Sequence, residues 1–158
     1  MRTLLIDNHD SYTYNVFHLL AGVSGEEPIV VDNDAVSWRA LERWDFDAIV
    51  LSPGPGTPGR WHDFCVCDDI LRYSEIPVLG ICLGHQGLGK MLDGDVRSAP
   101  EAMHGRLSQI FHEGDGLFAM QRKRVVFMVE VKVYRLYFLA VVVHRDLHVG
   151  KRFGVVVT

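Results

Sequence analysis

The sequence predicts an α/β fold, with an open, doubly wound parallel sheet and helices on both faces. Short apolar runs alternate four times with segments of helical pattern, which is typical of this architecture. The runs are continuously apolar rather than alternating, as expected for strands buried on both faces. At 158 residues the chain is long enough for one domain with a substantial core.

The four strands are predicted from β-branched and aliphatic runs bounded by polar residues, glycine or proline. They lie at residues 3–6, 28–31, 48–51 and 76–81. A first helix is expected after Ser11, which can cap it, and Gly22 is a plausible stop signal. Further helices are predicted over 36–43, 61–73 and 84–92. Right-handed crossovers should join the strands, so ligands should bind at the carboxyl ends of the strands.

The pattern changes in the last third of the chain. Residues 95–98 and 104–112 are expected to form short antiparallel strands or an extended ribbon. Residues 1–119 hold 8 Lys and Arg against 18 Asp and Glu, whereas residues 120–158 hold 8 against 2, with twelve valines. The sequence therefore predicts a domain over 1–119 and an atypical, basic, valine-rich tail over 120–158. We hypothesise that this tail is a frameshifted or chimeric translation.

Composition excludes several classes of protein. A net charge of −4 gives no indication of nucleic-acid binding, and no apolar run is long enough for a membrane span. Three cysteines favour a reducing cytoplasm over a disulfide framework. The four-residue spacing of His144 and His148 would suit a metal ion only on a helix. The valine-rich sequence around them favours a strand, so a metal site there is not expected. We expect no metal and no other cofactor.

A nucleophile elbow is predicted where the fourth strand meets the fourth helix. The segment Gly80-Ile-Cys-Leu-Gly84 has a nucleophile flanked by two glycines, which a strained strand-to-helix turn requires. A helix N-terminus can lower a thiol pKa from about 8.5 into the range of roughly 3.5–7.5. The N–H of Leu83 is one expected oxyanion donor. The alternative is a buried, structural Cys82.

A second candidate element is the Pro-Gly loop, residues 52–58, which follows the third strand. Two of its prolines stiffen it, and its glycines leave N–H groups free to face a ligand. Gly56 is the expected second oxyanion donor. The loop lacks the Gly-Lys-Ser/Thr of a phosphate loop, and the alternative is an ordinary turn.

Three motifs together carry a resemblance to a known family. They are Leu5-Ile-Asp-Asn-His-Asp-Ser-Tyr-Thr-Tyr-Asn15, Leu51-Ser-Pro-Gly-Pro-Gly-Thr-Pro58 and Gly80-Ile-Cys-Leu-Gly-His-Gln86. In this order and spacing they resemble the class I glutamine amidotransferase component of anthranilate synthase and aminodeoxychorismate synthase. The resemblance covers about residues 1–119, and segments 103–106 and 112–118 look more like the aminodeoxychorismate branch. It implies a flavodoxin-like sheet that is incomplete at its C-terminus.

The resemblance implies an activity and a set of site residues. Cys82 matches the nucleophile that attacks the side-chain amide of glutamine, and the ammonia passes to a synthase that aminates chorismate. Gly54, Pro55 and Gly56 match the loop that holds glutamine, and Gln86 matches a position that contacts it. Five residues match a first loop near the synthase interface and ammonia exit: Asp7, Asn8, Asp10, Ser11 and Asn15. Asp10 and Ser11 have helix capping as an alternative role.

The sequence departs from the family where a general base is needed. The family places this histidine in a His-Pro-Glu segment, but no His-Pro dipeptide occurs here, and a Tyr-His-Ser-Leu segment is also missing. His85 is close to the elbow but is poorly aimed at the thiol. We therefore expect strongly reduced glutaminase activity. The alternatives are a non-catalytic subunit of a synthase and, less well supported, a phosphoacceptor module using Asp7 and Asp10.

Overall fold

A computed structural model describes residues 1–96 and three further strands, at 106–111, 124–129 and 141–143. Two compact units can be separated by their internal contacts. The first contains residues 1–96 and the strand at 141–143, and the second contains the strands at 106–111 and 124–129. None of the helices in this described part is long and apolar enough to cross a bilayer.

The first unit is built on a sheet whose first four strands are parallel. In chain order the strands are β1 (Thr3–Asp7), β2 (Ile29–Asp32), β3 (Ala48–Leu51), β4 (Val78–Gly80), β5 (Arg106–Phe111), β6 (Arg124–Val129) and β7 (Val141–Val143). The sheet order is β2-β1-β3-β4-β7, and β7 runs antiparallel to β4. The predicted parallel α/β sheet is confirmed, and β7 adds an antiparallel strand from the valine-rich tail.

In the part of the chain that the structure describes, five helices connect or follow the parallel strands. They are α1 (Thr13–Ser24), α2 (Trp38–Leu41), α3 (Trp61–Phe64), α4 (Val66–Tyr73) and α5 (Leu83–Met91). The chain moves one way along the sheet from β1 to β2, and the opposite way from β2 to β3 and β4. Right-handed crossovers therefore place α1 on one face and α2 to α4 on the other. The direction reverses between β1 and β3, which makes this point the topological switch of the sheet.

The core lies along β1 and β3. Leu4, Leu5 and Ile6 are successive residues that point to opposite faces, yet all three are fully buried. Burial of both faces explains why the sequence reads as a continuous apolar run rather than an alternating one. Ile49 and Leu51 of β3 extend the same core.

The ends of α1 differ from the prediction. Ser11 is exposed, and no side-chain hydrogen bond caps the helix, whose N-cap residue is Tyr12. Two aspartates shape the turn that leads into it: Asp10 accepts a bond from the N–H of Tyr12 at 2.8 Å, and Asp7 accepts one from the Thr13 hydroxyl at 2.6 Å. The helix also runs past Gly22 to Ser24. It ends at Gly25, whose φ of 74° is the left-handed conformation of a helix C-cap.

Two other boundaries were predicted wrongly. The helix expected over 61–73 is broken into α3 and α4 at Cys65, which has a φ of 37°. Residues 95 and 96 are not in a strand, and 97–98 lie outside the described residues. The ribbon expected over 104–112 is confirmed by β5, which pairs antiparallel with β6 from the tail. His144 and His148 lie outside the described residues.

Candidate functional site

Cys82 lies between β4 and α5, at the N-cap of the helix. Its backbone has φ 53° and ψ −107°, a strained conformation for any residue with a side chain. Two close approaches explain the flanking glycines. A Cβ on Gly80 would lie 2.5 Å from the carbonyl carbon of Gly84, and a Cβ on Gly84 would lie 2.6 Å from the oxygen of Leu51. This is the tight turn that the elbow motif predicts.

Hydrogen bonding from two backbone N–H groups, those of Gly54 and Leu83, lowers the pKa of the Cys82 thiol. The Pro-Gly loop and the helix start therefore converge on one atom. Donors that already face the nucleophile are placed where the oxygen of a tetrahedral intermediate would develop. Leu83 was a predicted donor. The second N–H group belongs to Gly54 and not to Gly56, which was expected to supply it. The oxyanion role of Gly56 stays a prediction.

The electrostatic setting of Cys82 differs from the expectation. Burial raises the pKa of the thiol to about 11, against the lowering effect of the Gly54 and Leu83 N–H groups, and the charge of Asp10 raises it further. The sequence led us to expect a pKa below the ordinary value. That expectation took account of the helix N-terminus but not of burial. Only 4% of the residue is exposed, and removal from water disfavours the charged thiolate.

The Pro-Gly loop is shaped by close contacts around its glycines. Gly54 packs so closely that a Cβ there would lie 2.5 Å from the Cβ of Asn8. Gly56 has φ +89°, and the space beside it is occupied by the carboxylate of Asp63, which also accepts a bond from the N–H of Thr57 at 3.0 Å. Gly54 is buried, whereas Pro55 and Gly56 are exposed. The loop thus has a buried arm toward Cys82 and an exposed arm.

A chain of polar residues follows the carboxyl ends of the parallel strands. Asn33, Asn8, Ser52 and Cys82 come after β2, β1, β3 and β4, which is the spatial order of these strands. Asn33 Nδ2 donates to Asn8 Oδ1 at 2.9 Å, and Asn8 donates from its backbone N to Ser52 Oγ and from Nδ2 to Ser52 O, both at 2.9 Å. The role of Asn33 and Ser52 was missed, although a polar residue directly after each strand was visible in the sequence.

Two buried polar side chains lie in the first turn of α5. His85 Nδ1 and Gln86 Nε2 are buried and find no partner in the described part of the chain. Burial lowers the pKa of His85, which favours its neutral imidazole. A buried amide without a partner requires an explanation, and a bound ligand would satisfy it. This feature supports, without testing, the predicted substrate contact of Gln86.

The first-loop residues are not equally accessible. Ser11 and Asn15 are exposed, Asp7 and Asp10 are half-buried, and Asn8 is 2% exposed with its side chain bonded inside the chain. Burial and the neighbouring Asp7 raise the pKa of Asp10. The predicted contact of these five residues with a synthase stays a prediction, and burial leaves Asn8 little surface for it.

Comparisons with known proteins identify the family. Residues 4–135 match the class I glutamine amidotransferase family, a match that runs past the predicted boundary at residue 119. The chain is 52% identical over 118 residues to an aminodeoxychorismate synthase of Streptomyces griseus, covering 75% of this chain and 16% of that protein. It is 44% identical over 110 residues to an anthranilate synthase component 2 of Saccharolobus solfataricus, covering 68% of this chain and 56% of that protein.

A structural comparison gives the same fold. A crystal structure of a GMP synthase subunit from Thermoplasma acidophilum superposes with a TM-score of 0.63 at 22% identity, covering 81% of this chain and 63% of that one. The chain spans about a sixth of the first relative above and just over half of the second. The family match and the placement of Cys82 together show that the chain belongs to the class I glutamine amidotransferases.

Proposed function

We propose that Cys82 is the nucleophile of a glutaminase site that delivers ammonia to a chorismate-aminating synthase. The observation that carries this proposal is the convergence of the Gly54 and Leu83 N–H groups on the Cys82 sulfur. A merely structural cysteine has no need of two backbone donors and a strained backbone. Gly54, Pro55, Gly56 and Gln86 are the residues we assign to glutamine binding.

The proposed reaction has two half-reactions. The Cys82 thiolate attacks the amide carbon of glutamine, and the carbonyl electron pair moves onto oxygen, which Gly54 and Leu83 stabilise. Collapse of this intermediate breaks the C–N bond, and the leaving nitrogen takes up from solvent the proton that the Cys82 thiol had given up, so that it departs as ammonia. Water then attacks the thioester carbon, which yields glutamate and regenerates the thiol. The chain needs no cofactor for these steps.

We further propose that this chain performs the reaction slowly. With a pKa of about 11, only about one Cys82 in ten thousand would be ionised at pH 7 without a base. No His-Pro segment is present to supply one. Loss of a base that acts together with its nucleophile costs several orders of magnitude in rate.

The relatives support a proposal for the partner. Identities of 52% and 44% favour aminodeoxychorismate synthase over anthranilate synthase, in agreement with the lean from segments 103–106 and 112–118. We propose a chorismate-using synthase, as a separate chain or a fused domain, as the partner. Nothing in the charge of the chain favours nucleic acid or a membrane surface as a further partner, and we expect a cytoplasmic location.

Active-site labelling tests the nucleophile. The protein is incubated with a chloroketone analogue of glutamine, and the alkylated peptide is located by mass spectrometry. We expect labelling of Cys82 that free glutamine slows, with Cys65 and Cys67 as internal controls and Cys82→Ser as the matched variant. Labelling of Cys82 at a rate that glutamine does not change, or labelling of Cys65 instead, would contradict the proposal.

Ammonia release tests the slow turnover and the alternative function. Release is measured from glutamine with and without a chorismate-using synthase. We expect labelling of Cys82 but a release rate at least a thousandfold below that of a complete relative. A rate near that of the relative would refute the impairment. Neither labelling nor release, with binding to the synthase retained, would support the non-catalytic subunit, which the high pKa of Cys82 favours.

A further inference from the structure

Ser52 has a buried hydroxyl with two partners in the Pro-Gly loop and β1. The residue is fully buried at the end of β3. Its Oγ accepts a hydrogen bond from the Asn8 backbone N–H at 2.9 Å and donates one to the Pro53 carbonyl oxygen at 2.6 Å. A hydroxyl has a single proton. Because the Asn8 N–H occupies one of the oxygen's lone pairs, that proton is free to point at Pro53.

The bond to Pro53 determines where the Gly54 N–H points. The Pro53 carbonyl and the Gly54 N–H belong to one planar peptide group and point in opposite directions. Anchoring the oxygen on Ser52 therefore directs the N–H away from Ser52. Hydrogen bonding from this N–H lowers the pKa of the Cys82 thiol. Glycine at position 54 would otherwise allow this peptide to rotate, since it restricts the backbone less than any other residue.

Asn8 holds the other end of this arrangement. Its Nδ2 donates to the Ser52 carbonyl oxygen at 2.9 Å, and its Oδ1 accepts from Asn33 Nδ2 at 2.9 Å. Ser52 is thereby tied to β1 through both its main chain and its side chain. The network runs across the topological switch point, from β2 to the nucleophile, without using a solvent-exposed residue.

We propose that Ser52 is a positioning residue, whose hydroxyl orients the Pro53–Gly54 peptide so that its N–H faces Cys82, and that Asn8 aims that hydroxyl. The proposal rests on the proposed function, because it assigns the Gly54 N–H to the oxyanion. It predicts that a side chain with no contact to the sulfur controls how readily the sulfur ionises.

The test measures alkylation of Cys82 by iodoacetamide between pH 7 and 10, with peptide mass mapping. In Ser52→Ala we expect the rate to fall about tenfold at each pH, which displaces the profile in parallel toward higher pH, because a bond to the thiolate is lost. A purely structural role for Ser52 gives the opposite sign, since loosening the fold exposes the thiol and speeds alkylation. Ser24→Ala is the matched control, because the Ser24 hydroxyl also donates to a main-chain oxygen, that of Leu20 at 2.8 Å, at the end of α1.

Two further variants keep the comparison decisive if Ser52→Ala does not fold. Ser52→Thr retains the hydroxyl and should retain the wild-type profile, whereas Ser52→Val has nearly the same shape without it and should behave as Ser52→Ala is expected to. The proposal would be overturned if Cys82 in Ser52→Ala were alkylated as fast as in wild type, or faster. Identical dependences of the alkylation rate on pH in Ser52→Thr and Ser52→Val would also overturn it. Iodoacetamide needs no glutamine pocket, so failure of the chloroketone to label wild type refutes the proposed function and leaves this result interpretable.

Discussion

At the scale of single residues, the glycines around Cys82 are constrained by contact rather than by conformation. Gly80 has no positive φ, yet a Cβ there would meet the Gly84 backbone at 2.5 Å. Main-chain atoms at the start of α5 cannot move aside without shifting the helix. The glycine therefore sets the distance between β4 and α5, and with it the position of the nucleophile.

Substitution of Gly80 should separate this contact from general glycine effects. We expect Gly80→Ala to lower the free energy of unfolding by about 2–3 kcal/mol and to abolish chloroketone labelling of Cys82. In Gly59→Ala the nearest atom to a new Cβ lies at 3.5 Å. The free energy of unfolding and the labelling of Cys82 should therefore both stay near the wild-type values. Urea unfolding and mass mapping measure the two quantities. Normal labelling in Gly80→Ala would show that the turn tolerates a side chain.

The buried thiols should make stability depend on alkaline pH. Burial raises the pKa of both Cys82, to about 11, and Cys67 above the ordinary 9.0. The folded protein therefore holds these protons where the unfolded chain releases them. Stability is fully present below pH 9 and falls above it, by at most about 1.4 kcal/mol per pH unit for each thiol.

Urea unfolding from pH 7 to 10.5 measures this dependence, and Cys82→Ala isolates one thiol. We expect the wild-type curve to fall more steeply above pH 9 than that of the variant, with parallel curves below pH 8. Equal slopes throughout this range would mean that the Cys82 thiol is not held in its neutral form by the fold.

At the scale of elements, α1 contains two glycines with opposite roles. Gly22 lies inside the helix with open space around a new Cβ, whereas Gly25 adopts φ +74° as the C-cap. Gly22→Ala should raise the free energy of unfolding by about 0.5–1 kcal/mol, because alanine favours the helix and restricts the unfolded chain. Gly25→Ala should lower it by about 1–2 kcal/mol, because of the left-handed conformation. Thermal or urea unfolding of the two variants measures both changes. If Gly22→Ala and Gly25→Ala changed the free energy of unfolding in the same direction, these assignments would be contradicted.

Element boundaries were predicted less well than the elements themselves. The four parallel strands were expected from apolar runs, and each was found within a few residues of its place. The start of α1 and the break at Cys65 were not, because no side chain caps α1 and Cys65 adopts a φ of 37°. The local pattern of the sequence indicates which side chains are buried, but not whether a polar side chain near a helix end caps it.

At the scale of the whole molecule, the valine-rich tail takes part in the described sheets. β7 pairs with β4, the strand that leads to Cys82, with Leu79 opposite Val142. β6 pairs with β5 in the second unit. That residues 120–158 are a frameshifted or chimeric translation stays a proposal. Resequencing the locus would test it, since a single clean frame encoding the tail would refute it.

Removal of β7 should expose the edge of β4. A chain stopped after residue 138 keeps the pairing of β4 with β3 but loses its pairing with β7, and an unpaired edge strand promotes association. We expect a lower urea midpoint and a larger apparent mass in size-exclusion chromatography than for the full chain. A truncated protein that stays monomeric with an unchanged midpoint would show that β7 does not stabilise this edge.

The sequence by itself determined the alternating α/β pattern, the parallel strands and the elbow at Cys82, because each depends on neighbours close along the chain. Burial periodicity and the spacing of two glycines are local properties. Tertiary structure alone decided that Gly54 supplies a donor to the sulfur, that burial raises the Cys82 pKa, and that Asn33, Asn8 and Ser52 form one network. Those facts depend on which strand ends meet at the sheet edge and how much water they exclude, and neither is encoded in a contiguous stretch of residues.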